Sequence, residues 1–285
     1  MKKALLIVLI LVIALGASFM FTGCSSSPLP GTAWADYERL TYEMRENKEG
    51  GEILGYLVTE IETLPMGEHT LEGHGDRKFK IESNALRGMR YTQTVYKDEA
   101  QTIRVTRTVS IMRNFQSLAS YSESYNSEGE VTSTATARLS GKNYLYKQQG
   151  GKEQSVKAGN ALDNSLLYVI LRVYDEIESA HTINTTLINP LNGQTASVRI
   201  ASHGRTSQTF TFGEEGSAKT MRVIKATITR TSAPIGTSME VWYSEKSFSI
   251  EGSSAENNNN SFYLPLKMIE EKVEYVLVSA TTKNA

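Results

Sequence analysis

Between Arg39 and Arg45 every second residue is apolar: Leu40, Tyr42 and Met44 alternate with Thr41 and Glu43. A strand sends successive side chains to opposite faces, so this period predicts a half-buried strand over residues 34–46. A turn with two glycines follows at 47–51, then a second strand at 53–64, and the pair reads as a hairpin. The clearest alternation lies in residues 101–112. Ile103, Val105, Val109 and Ile111 face one way there, and Thr102, Arg104, Thr106, Thr108 and Ser110 face the other. Residues 115–125 continue the pattern and 126–129 turn the chain. Residues 131–139 then place Val131, Ser133, Ala135, Ala137 and Leu139 on one face. Glycines at 141 and at 150–151 mark further tight turns.

One segment changes period. Leu162, Leu166, Ile170, Val173 and Ile177 recur at helical spacing, and Asp163 stands where an N-cap belongs. This predicts an α-helix near 163–178. Strands resume at 194–201, 205–212, 219–231, 237–244, 262–268 and 272–279, and four asparagines at 257–260 form a polar loop. Several of these strands exceed the usual five or six residues. Long antiparallel strands joined by tight turns build a wide sheet, and twist makes a wide sheet curl. The expected fold is therefore mainly β: a large, strongly curved antiparallel sheet, a half-barrel, with one helix covering its concave face.

The start of the chain adds an address. Lys2 and Lys3 precede an uncharged, mostly aliphatic run over 4–21, and small residues lead to Cys24, the single cysteine. This order is that of a secretory signal. Phe21-Thr22-Gly23-Cys24 resembles the bacterial lipoprotein signal, with Phe21 where leucine is usual. The resemblance implies a signal peptide over 1–23, cleavage before Cys24, and a diacylglycerol on its sulfur with a further acyl chain on the new amino terminus. Ser25 follows the cysteine where aspartate would signal inner-membrane retention, so the resemblance implies the outer membrane. Several acyl chains satisfy the requirement that stable anchoring takes more than one. The competing reading is an uncleaved membrane helix, for which the run is just long enough. The Ser/Pro-rich stretch 24–33 reads as a tether, leaving 34–285 as one β-rich envelope domain. The formal net charge of −1 offers no basic stripe for nucleic acid.

Candidate chemistry is sparse. The small residues Ser133, Ala135 and Ala137, with Ser117 and Ala119, leave room above the sheet. Either the helix packs closely there or an apolar ligand does. Arg107 interrupts an apolar face, either snorkelling at an edge or meeting an anionic ligand group. His69 and His74 sit among Glu68, Glu72 and Asp76 in a glycine-rich loop. Their spacing is not that of helical zinc ligands, and solvated loop residues are the simpler reading. No nucleophile elbow, phosphate loop or dinucleotide fingerprint occurs. No catalytic residue, metal or cofactor is expected.

Four stretches carry a wider resemblance: GEILGY (51–56), NSLL (164–167), INPLNG (188–193) and WYSE (242–245). In their order the chain resembles bacterial envelope proteins built as one curved antiparallel sheet, related in shape to the LolA/LolB lipoprotein carriers. The resemblance spans most of 35–280 and implies no catalytic residues. The leading expectation is a non-enzymatic membrane-anchored lipoprotein holding an apolar or amphipathic ligand, such as a lipid, in its concave face. The alternatives are an assembly lipoprotein that recruits an envelope protein through its sheet, and a hydrolase of envelope glycans or peptides.

Overall fold

The computed structural model describes residues 36–82, 88–113, 115–170, 172, 175–212, 217–231, 238–245 and 263–283. The signal segment 1–23, Cys24, the tether and the asparagine run lie outside the described residues. Strands run in chain order as β1 (Tyr37–Glu46), β2 (Ile53–Leu64), β3 (Gly67–His69), β4 (Phe79–Ile81), β5 (Gly88–Tyr96) and β6 (Arg104–Arg113). Then come β7 (Gln116–Tyr125), β8 (Val131–Ser140), β9 (Asn143–Gln148), β10 (Gln154–Lys157) and the two-residue β11 (Leu162–Asp163). The remainder are β12 (Ala180–Ile188), β13 (Thr195–Phe212), β14 (Ser217–Arg230), β15 (Ser238–Ser244), β16 (Pro265–Glu270) and β17 (Val273–Lys283).

Fifteen of these strands form one sheet, in the order β10-β9-β8-β7-β6-β5-β2-β1-β17-β16-β15-β14-β13-β12-β11. It is two antiparallel meanders sewn together where β1 pairs with β17, Tyr37 opposite Lys283 and Glu46 opposite Val273. Among the described strands only β11 against β12 is parallel. The strand expected at 101–112 begins at Arg104, and those expected at 194–201 and 205–212 are one strand, β13. A bulge between Ser202 and Arg205, with Gly204 at φ +72°, keeps β13 continuous.

Alternation assigns the faces. Leu40 and Tyr42 of β1, Leu57 and Ile61 of β2, Met89 and Tyr91 of β5, Val198 and Ile200 of β13, and Val241 and Tyr243 of β15 share one buried cluster. Strands from both arms meet in this cluster, so the face they share is concave. Leu166, Leu167, Val169 and Ile177 complete it from inside.

The segment that carries these four residues is not the continuous helix expected at 163–178. Among its described residues it is a 3-10 turn at Asn164–Leu166, a single helical turn α1 at Leu167–Ile170, and a second 3-10 turn at Asp175–Glu178. The burial explains the difference. Residues 166, 167, 169, 172 and 177 are all buried, and successive helical residues advance by roughly 100°, so one regular helix could not turn all five inward. Broken turns can. Both ends are tied: the Asp163 N–H donates to Phe115 O at 3.0 Å, and Ser202 Oγ donates to Ile177 O. The segment is a plug within the sheet rather than a cover upon it.

Residues 65–82 make an excursion onto the opposite, convex face. Leu71, Phe79 and Ile81 pack there against Val109, Ile111 and Ala119, and β3 and β4 pair as a small second sheet. His74 pins the excursion: its Nε2 lies 3.0 Å from Ser120 O, and its ring meets Phe79 edge-on at 5.2 Å. Burial depresses the His74 pKa below its ordinary 6.5, partly opposed by the bond to Ser120. The fold thus favours the neutral ring. Its contribution is full above about pH 6.5 and is lost as pH falls from there toward the depressed folded value. Amide exchange in 65–82 should therefore quicken between about pH 7 and pH 5, after correction for intrinsic rates, while β13 and β14 hold their protection. Equal protection at both pH values would count against this role for His74.

The two outer edges of the sheet are brought together. Tyr144 of β9 packs with Ala158, Ala161 and Ile188 of β12, and Gly193 lies under the Tyr146 ring. A Cβ at Gly193 would come within 2.7 Å of that ring, and φ there is +73°, so the loop after β12 needs glycine to close the seam.

Candidate functional site

The inner face of β5–β9 carries a trough of small side chains. Register places Tyr91, Ser110, Ser120, Ala137 and Tyr146 side by side across five strands. The next row is Gln93, Thr108, Ser122, Ala135 and Gln148, and the row beyond it Val95, Thr106, Ser124 and Ser133. Directly opposed residues share a face, so these rows line one surface. Their hydroxyls pair with each other: Ser110 with Ser120 at 2.8 Å and Thr108 with Ser122 at 3.0 Å. The trough therefore mixes Ala135, Ala137 and Val95 and four paired hydroxyls with the polar side chains Gln93, Gln148, Thr106, Ser124 and Ser133.

Exposure grades along it. Ser110, Ser120 and Ala137 are at most 1% exposed, Ser122 and Ala135 are half-buried, and Ser133 is exposed. From Ser133 to Ala137 the trough runs about 13 Å at the usual rise per residue. Its mouth lies at the end of the sheet that bears the hairpin turns after β1, β5 and β7. The described chain starts at the opposite end, with β1.

The deep end is polar. Arg172 of the plug holds Glu38 of β1 through two hydrogen bonds of 2.7 Å, Nη1 to Oε1 and Nη2 to Oε2. Their side chains are 0% and 2% exposed. Burial works against the guanidinium charge, but the adjacent Glu38 carboxylate outweighs it and raises the Arg172 pKa. Asp163 accepts from Ser117 Oγ, from Ser165 N at 2.8 Å and from Ser165 Oγ at 2.6 Å. Complete burial still pushes its pKa up, against those bonds. Tyr91 belongs to the main buried cluster and Tyr144 to the one at the seam, and both hydroxyls are shifted well upward by burial first and by the charge of Asp163 second. Among the described residues the buried Tyr91 Oη and Arg172 Nε have no hydrogen-bond partner, and Tyr144 Oη has the Ser117 backbone beside it.

The candidate ligand set from the sequence divides between the two faces. Ser133, Ala135 and Ala137 share the inner face of β8, and Ser117 is bonded to Asp163. Arg107 and Ala119 belong to the convex face. Ala119 is sealed under the 65–82 excursion, and Arg107 is paired with Glu72 and, at 3.8 Å, Glu123. Arg107 alternates with the inward Thr108 and Ser110, and a β-bulge, in which Ile111 faces Ala119 but Met112 faces Ser117, puts Ala119 and Ser117 on opposite faces although they are two residues apart. His69 and His74 are bound to backbone carbonyls of Pro65 and Ser120. Among the described residues no group of three His, Cys, Asp or Glu side chains could hold a metal ion. Sequence reasoning takes Asp163 for a cap. The cap is correct, but nothing local signals that Glu38 and Arg172, 134 positions apart, would meet.

Fold and site together define a class: a large antiparallel β protein, barrel-like, with an internal plug. A crystal structure of a beta-barrel-like protein of the domain of unknown function DUF1849 from Brucella abortus is similar over 89% of this chain and 100% of its own, at 12% identity and a TM-score of 0.50. That likeness concerns the fold alone. No family model and no curated protein matches the chain.

Proposed function

We propose that this chain is a non-enzymatic envelope lipoprotein that holds an apolar or amphipathic ligand in its concave face. The observation that supports this reading is the trough: a run of small side chains, buried at Ser110, Ser120 and Ala137 and exposed at Ser133. Large pockets for such ligands are mostly apolar with a few placed polar groups. Affinity comes from apolar burial, at about 25 cal/mol per Å² before the costs of association. Native mass spectrometry of the protein purified from membranes tests it. The expected result is non-covalent lipid mass that denaturation releases; a protein without it, even after incubation with envelope lipids, would sink the reading.

Anchoring at Cys24 belongs to the same proposal. Cys24→Ser should abolish palmitate labelling and leave the chain as an uncleaved precursor. Labelling that survives the substitution would place the acyl chain elsewhere. A second reading, recruitment of a protein partner, is favoured by the mouth itself. Ile53, Leu54, Ile103, Val105 and Val131 lie near its hairpin turns, and each is at least 39% exposed.

A further inference from the structure

We propose that the outer edge of β12 is where two copies of this chain join, edge to edge, into one continuous sheet. β12 pairs with β13 along its whole length, from Ala180 opposite His203 to Ile188 opposite Thr195. Its other side meets β11 at Leu187 and Ile188 alone. No described strand covers the outer side of Ala180–Thr186, and Ala180, Thr182, Asn184 and Thr186 are exposed there. A strand left in this way presents a row of backbone donors and acceptors, which is a template for another strand. His181 makes a contact of its own, and the join centres beyond it, on Thr182–Asn184.

The two ends of the strand order differ in a way that singles this edge out. β10 has four residues and ends in Lys157, with Glu153 just before it, both exposed. Short length and charge are the usual means of keeping an edge unpaired. β12 has nine residues and no bulge against β13, and Ala180–Ile188 holds no Asp, Glu, Lys, Arg or Pro. The occupant follows from the layout of the open run, which starts where β12 starts and stops where β11 begins, with Ile183 at its midpoint. When a second copy is laid antiparallel about Ile183, Ala180 of each faces Thr186 of the other. Each strand then begins just short of the other copy's β11, and the two do not collide. On the outer face Thr182 meets Asn184. On the inner face Ile183 meets Ile183, where each is already half-buried against the main cluster. Directly opposed residues of this kind are the unit of sheet stabilisation. A symmetric join sets a charge at its midpoint against the same charge, and this run carries none.

The test is the mass of the full chain in mild detergent, by sedimentation, for the native protein and two variants. The native chain should be a dimer. Thr182→Lys/Asn184→Lys sets lysine against lysine across the join and should weaken the dimer at least about tenfold. Thr182→Lys/Asn184→Glu sets lysine against glutamate in the same register and should restore it. Both positions are exposed, so both variants should keep the native circular dichroism spectrum. A monomeric native chain would overturn the proposal. So would a dimer that survives the two lysines, since another surface would then hold it, or a lysine–glutamate variant that stays monomeric, since the register would then be wrong. If the lysines disturb the fold, oxidation of membranes that hold both Thr182→Cys and Asn184→Cys chains decides. The two should crosslink to each other more than either does to itself, with the native chain, whose only cysteine is Cys24, as the blank. No crosslink between them would overturn the join.

Discussion

Glu38→Ala should destabilise the protein by about 3–5 kcal/mol, the usual cost of stranding one member of a buried ion pair. The cost arises because the Arg172 guanidinium stays inside, 0% exposed, with its countercharge gone. For a domain of this size that lowers the thermal midpoint by roughly 10 °C. The double variant Glu38→Met/Arg172→Met should recover most of the loss, since replacing both charges by apolar groups of similar volume is often neutral. Denaturant melts of the two singles and the double make a complete cycle. A single-variant loss below about 1 kcal/mol would mean that water reaches the pair. The double variant also separates stability from purpose: if it is stable but binds no ligand, the latch shapes the site as well as holding the plug.

Leu166→Ala should cost about 2–5 kcal/mol, the transfer free energy of the lost atoms plus the cavity they leave. Leu166 is 0% exposed at the start of the plug, beside the capped turn of Asp163. Asp163 N is bonded to Phe115 O and Ser202 Oγ to Ile177 O, so the plug cannot slide to refill the space. An apolar probe should then bind the variant and raise its melting midpoint in proportion to occupancy. A loss under about 1 kcal/mol, with no response to the probe, would mean that the plug repacks freely.

Much of the sheet was legible because β1, β6 and β8 alternate; β2 buries five consecutive residues from Gly55 to Thr59, and a bulge in β7 puts Ser117 and Ala119 on opposite faces against the period. β5 was missed although Met89, Tyr91 and Val95 alternate, because Gln93 breaks the series and its other face is polar. Arg90 of that face answers Glu62 across the ladder at 2.7 Å. β12 was missed because Thr182, Asn184 and Thr186 carry little apolar signal. The plug was found as a departure from strand period but misread as a regular helix, since residue spacing does not reveal burial on every side. The small face of β8 was legible as roomy. Its depth was not, because the residues that close it come from β5, β9 and the plug and meet only through long-range pairing.

The pairing of β1 with β17 makes the first strand of the sheet depend on the last. Until residues 273–283 have been made, β1 has β2 on one side and an open row of backbone donors and acceptors on the other. Such an edge invites pairing with other chains, and contacts across so long a stretch form late and slowly. Because the chain is made from its amino terminus, completion of the sheet then waits on its final strand. Interruption of synthesis would leave β1 exposed beside a plug whose Arg172 partner, Glu38, sits on that same strand.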